Sequence, residues 1–86
     1  MNLSFLEKKY TAKLLLSLFK NKQQRFKDMK KTIPREATLS ARIKELEDLG
    51  LIQSTVTKEK RRKFFAYNLT QKGQKIGASL HEIESI

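Results

Sequence analysis

Cysteine is absent from this chain, which rules out disulfide staples, thiolate metal sites and thiol redox sensing together. Histidine occurs once, at His81. Its neighbours Glu82 and Glu84 fall on different sides of a helix and make no convergent ligand set, so neither a metal nor another cofactor is expected. No glycine-rich phosphate loop, serine-nucleophile motif or acid–base pair is present, which argues against an enzyme. Long apolar runs are missing too. Leu14 to Leu16 is far too short to cross a bilayer, and the amino terminus carries no signal-peptide pattern, so a cytoplasmic location without membrane contact is expected. Acidic residues are scarce, nine against 19 lysines and arginines.

The resulting charge of +10 repels itself unless a polyanion lies against the surface, which makes nucleic acid the leading partner. A soluble basic protein with scattered charge would be the plain alternative, but the cations cluster. Lys20, Lys22, Arg25, Lys27, Lys30 and Lys31 crowd one segment against Asp28, and residues 58–63 hold five cations to one anion. Eighty-six residues with 38% hydrophobic content support one domain, residues 1–86, without internal repeats. Burial is limited at this size, and a homodimer is the default expectation.

Ser4 and Glu7 fit a capping box, and the apolar residues from Leu3 to Phe19 recur at helical spacing, predicting a helix over 4–20. Asn21 makes its stop. Gln24-Arg25-Phe26 reads as a very short strand before a helix of at most two turns, which Ile33-Pro34 ends by forcing extended geometry. Leu39, Ile43, Leu46 and Leu49 mark one side of a third helix over about 35–49, with Gly50 as its left-handed exit. Leu51 to Thr57 and Lys63 to Leu69 alternate as antiparallel strands, with Phe65, Tyr67 and Leu69 on one face opposite Ile52 and Val56; the alternation turns Phe64 outward, to pack at the wing base or against a partner, with ordinary core packing the plainer reading. Thr70 suits an N-cap, and Ile76, Leu80 and Ile83 stripe a last helix over 70–84. Gly73 and Gly77 there permit close approach to the first helix or to a partner.

The fold expected is α+β, mainly α, in the order helix, short strand, helix, helix, strand, basic hairpin loop, strand, helix. Two helices joined by a tight turn and followed by a cationic hairpin present one rod and one finger to a DNA duplex. Residues 25–29, then 39–52 (LSARIKELEDLGLI), then 67–73 (YNLTQKG) resemble the winged helix-turn-helix transcription regulators, above all the HxlR-like branch and its MarR, PadR and ArsR relatives. The resemblance spans roughly residues 14 to 80. It implies a homodimeric repressor or activator with the third helix in the major groove and the hairpin, the wing, beside the minor groove. HxlR-type proteins commonly carry an amino-terminal cysteine that this chain lacks, which removes a cysteine-based inducer response here.

Candidate DNA-reading residues on the third helix are Arg35, Thr38, Ser40, Ala41, Arg42 and Lys44. Ala37 and Ala41 let the helix approach base edges, and Thr38 and Ser40 can bond bases or phosphates. Arg42 lies toward the buried edge, where holding a phosphate and bracing the domain against an acidic neighbour are both open. Lys58, Lys60, Arg61, Arg62 and Lys63 form the wing set, and Arg25, Lys27, Lys30 and Lys31 are candidate phosphate contacts. Terminal helices 4–20 and 70–84 hold more apolar surface than one core can cover. Leu3, Phe5, Leu6, Tyr10, Ile76, Leu80, Ile83 and Ile86 are therefore expected at a dimer interface. Double-stranded DNA is the expected partner. The rival readings are a chromatin-like protein that coats DNA without reading sequence, an RNA- or ribosome-associated winged helix, and a protein-interaction module.

Overall fold

A computed structural model describes residues 2–86. A 3₁₀ turn at Leu3–Glu7 precedes helix α1 (Thr11–Lys20), strand β1 (Gln24–Arg25) and helices α2 (Phe26–Met29) and α3 (Glu36–Asp48). Strands β2 (Ile52–Glu59) and β3 (Arg62–Leu69) then lead to helix α4 (Gln71–Glu84). The antiparallel sheet has the order β1-β3-β2. This is the winged helix-turn-helix arrangement, and the core lies between the helices and the base of the sheet, around Leu14, Leu15, Leu18, Met29, Ile33, Leu39, Leu46 and Leu51.

The expected continuous helix over 4–20 is instead broken in two. Asn2, not Ser4, caps the first turn, its Oδ1 accepting from the Ser4 amide at 2.9 Å. Tyr10 then adopts a left-handed backbone, φ 72°, before α1 begins. At about 100° per residue, an unbroken helix would set Phe5 on the side opposite Leu14. The break returns Phe5 to the core, where it is 8% exposed. Tertiary burial has overridden a helical pattern that local spacing satisfied.

Other boundaries follow local chemistry. Asn21 ends α1, its amide donating to the Ser17 carbonyl at 2.9 Å. The buried Gln24 side chain donates to the Ser17 carbonyl at 3.0 Å and its hydroxyl at 2.9 Å, fastening β1 to that helix end. Asp28 starts α2 by accepting the Arg25 amide proton at 3.0 Å. Leu39, Ile43 and Leu46 turn α3 inward, whereas Leu49, expected on the same side, is exposed at the C-cap. Gly50, φ 72°, reverses the chain so that its own amide bonds Glu47 and the Leu51 amide bonds Leu46, each at 2.9 Å. The Thr70 hydroxyl accepts from the Gly73 amide at 3.1 Å and donates to the Gly50 carbonyl at 2.6 Å, tying the start of α4 to the end of α3.

Candidate nucleic-acid interface

The side of α3 turned away from the core is open. Ala37, Ser40, Ala41 and Lys44 are exposed, as is Arg35 at the N-cap, so small side chains and two cations stand at the surface. Thr38 is half-buried and lines a hollow of about 440 Å³ with Lys9, Tyr10, Ile33, Pro34, Arg35 and Arg42. Lys9 was not singled out by sequence reasoning. Its approach to α3 depends on the left-handed turn at Tyr10, which leaves no local sequence signal.

Three residues expected to meet nucleic acid are engaged within the protein. Arg42 donates through Nε to the Lys9 carbonyl at 3.2 Å and through Nη1 to both carboxylate oxygens of Glu45 at 3.0 Å. The bracing contact is present: Glu45 also accepts from Lys8 Nζ at 2.7 Å, so Arg42 ties α3 to the turn before α1. The Lys8 hydrogen bond and the nearby Arg42 charge hold the Glu45 carboxyl below its ordinary 4.5 against a partly opposing desolvation. Arg25 is likewise engaged within the protein. Its guanidinium lies 3.5 Å from the Phe64 ring centroid and its Nη2 donates to Glu59 at 3.0 Å. Lys30 bonds Glu36 at 2.8 Å, which lowers the Glu36 pKa. Within the cationic segment, Lys27 and Lys31 stay exposed and form no ion pair among the described residues.

The basic hairpin is more ordered than a six-residue loop. Lys58 and Glu59 extend β2, Arg62 and Lys63 extend β3, and only Lys60 and Arg61 form the turn, with Lys60 at φ 59°. Lys58, Lys60, Arg61, Arg62 and Lys63 are all exposed. Arg25, Glu59, Phe64 and the cations at 60–62 surround a hollow of about 530 Å³. The expected face assignment holds in register, since Phe65 pairs with Val56, Tyr67 with Ser54 and Leu69 with Ile52. Burial along it stops short of Phe65, which is exposed, while Phe64 packs at the wing base, half-covered by Arg25.

At the termini, Phe5 belongs to the protomer's own core and offers a partner almost nothing, contrary to its expected place at a dimer interface. Leu6, Tyr10, Ile76 and Leu80 are half-buried against that core, whereas Leu3, Ile83 and Ile86 are exposed. Helix α4 lies along α1 through Gly77, and His81 stacks on Phe19 with centroids 5.5 Å apart. Lys20 is tied to Glu84 at 2.7 Å. Among the described residues, no group of three or more His, Asp or Glu could hold a metal, and no helix is long and apolar enough to cross a membrane.

Comparison with known proteins agrees with this architecture. The reduced form of the transcriptional regulator YodB from B. subtilis is 30% identical, with a TM-score of 0.77 over 95% of this chain and 80% of that one. NMB1585, a MarR family regulator from Neisseria meningitidis, is 26% identical, with a TM-score of 0.75 over 93% of this chain and 57% of that one. SSV1 F-93 is 27% identical, with a TM-score of 0.66 over 88% and 87% of the two chains. No curated protein sequence matches the chain. The model of the HxlR-like helix-turn-helix family matches residues 5–86, nearly the whole sequence, and the chain belongs to that family.

Proposed function

We propose that this chain is a dimeric, sequence-specific DNA-binding transcription regulator, acting in the cytoplasm rather than as an enzyme. Helix α3 enters the major groove, with Arg35, Thr38, Ser40, Ala41 and Lys44 facing bases or the adjoining backbone. The wing cations Lys58, Lys60, Arg61, Arg62 and Lys63 follow phosphates or enter the minor groove, and Lys27 and Lys31 add backbone contacts. The observation that supports this most is the pairing of a helix face of small residues with a cationic hairpin in one domain of +10 charge. Phosphates then set orientation, and the helix reads sequence.

The dimer is assigned to the apolar surface left at the termini. Leu3, Ile83 and Ile86 are exposed, and Leu6, Tyr10, Ile76 and Leu80 are half-buried. In such a pair the two α3 helices lie about 34 Å apart on successive major grooves, which calls for a twofold operator. Selection of bound duplexes from a random pool, followed by gel shift against scrambled DNA across a salt series, tests the reading. With about three phosphates neutralised per protomer, the wing alone gives a log–log salt slope near −5. Equal affinity for selected and scrambled duplexes would replace the regulator with a DNA-coating protein, and preference for RNA at matched salt would point to a ribonucleoprotein role.

A further inference from the structure

The wing's two faces differ in chemistry. Antiparallel register places Ile52, Ser54, Val56 and Lys58 on one face, with Leu69, Tyr67, Phe65 and Lys63 directly across from them. This face starts in the core at Ile52 and Leu69 and leaves it at Val56 and Phe65, which are 61% and 64% exposed. One step nearer the tip, Lys58 and Lys63 stand opposite each other in full view of solvent. The other face is partly closed by the chain itself. Gln23 reaches over it to the Thr57 hydroxyl at 3.2 Å, and Arg25 covers Phe64 while bonding Glu59.

Two costs therefore sit on the open face. An apolar cross-strand pair is left in water, and two like charges face each other across the ladder, where opposite charges would stabilise it. A second copy docked on the apolar pair would bring two Lys58–Lys63 pairs together and compound the repulsion. An anionic small molecule would answer the lysines and leave the aromatic ring wet. A polyanion with apolar surface between its charges relieves both, and the minor groove of a duplex is one: deoxyribose walls flanked by phosphates.

We propose that the wing meets duplex DNA through the face bearing Val56, Phe65, Lys58 and Lys63, with the apolar pair against the sugar wall of the minor groove and the lysines on the flanking phosphates. This rests on the DNA-binding reading above and deepens it by naming which side of the hairpin docks. The contacts of Arg25 with Phe64 and Glu59 then lie behind the docking face. The wing thereby supplies an affinity component that salt does not screen, beside one that it does.

The test uses the full chain and a fluorescein-labelled duplex recovered by the selection described above, with anisotropy read across a salt series. Phe65→Thr keeps strand propensity, and it is expected to weaken binding about tenfold with the salt slope unchanged. Val56→Thr, nearly isosteric, weakens binding in the same salt-independent way and serves if Phe65→Thr does not fold. Lys58→Ala and Lys63→Ala each make the slope shallower by about 0.9 per protomer bound. Wild-type affinity in folded Phe65→Thr and Val56→Thr, or an unchanged slope in both lysine variants, overturns the assignment. So does a drop in oligomeric mass on sedimentation of Phe65→Thr, which would make this face a protein contact. Failure of the unaltered chain to bind any duplex would sink the regulator reading itself, whereas normal binding by the wing variants sinks only the choice of face.

Discussion

Arg42 is where a DNA contact and an internal brace make opposite predictions. Arg42→Ala removes the bond to the Lys9 carbonyl and both bonds to Glu45, while Glu45 keeps its partner Lys8. A hydrogen bond to a charged group contributes about 1.5–3 kcal/mol when sheltered, and an exposed ion pair about 0.2–1 kcal/mol. The Arg42 side chain is 18% exposed and that of Glu45 35%, so the brace lies between these limits. A loss of about 1–2 kcal/mol is expected, since no buried charge is orphaned. For a domain of this length that lowers Tm by about 5–15 °C. Thermal unfolding followed by circular dichroism measures the stability, and anisotropy across a salt series measures the DNA slope. A brace lowers Tm and leaves the slope alone. An unchanged Tm together with a slope shallower by about 1.8 per dimer would make Arg42 a phosphate contact and refute the assignment.

Glycine-to-alanine changes in α4 should destabilise despite a gain in helix propensity of roughly 1 kcal/mol. A Cβ at Gly73 would stand 1.9 Å from the Leu51 carbonyl oxygen, and one at Gly77 would stand 2.9 Å from the Phe19 Cβ. Backbone cannot swing aside as a side-chain tip can, so Gly73→Ala is expected to cost about 3 kcal/mol or more and Gly77→Ala about 1 kcal/mol net by urea unfolding. Equal or higher stability in Gly73→Ala would contradict the close passage of α4 over Leu51. Glu45 supplies a pH signature. Its pKa is lowered by folding, chiefly through the Lys8 hydrogen bond, so its contribution is complete above its ordinary 4.5 and is lost as pH falls through the folded value. The Tm gap between the natural chain and Glu45→Gln should therefore be constant at neutral pH and close on acidification below 4.5. A gap that persists in acid would show that the carboxylate charge is not what the network uses.

Local chemistry was enough for most of the helix and strand plan. Asn21, Gly50 and Thr70 act through their own backbone and nearest turn, so their roles as stop, exit and cap can be inferred from neighbours alone. The faces of the strands were also legible, because alternation has a period of two and the apolar residues at its base must face the core. Composition indicated the class of partner, since net charge does not depend on folding.

Tertiary structure decided the rest. Whether Arg42 and Arg25 remain available to a partner depends on Glu45 and Lys9 in one case, and on Glu59 and Phe64 in the other. Most of those contacts span more than thirty residues, and no periodicity reports them. The first helix breaks for a similar reason. Its apolar spacing suits an unbroken helix, but Phe5 gains the core only when Tyr10 turns left-handed. A pattern along the chain can state which residues are able to be buried or to pair; which of them do so is settled by distant segments competing for the same space and the same charge.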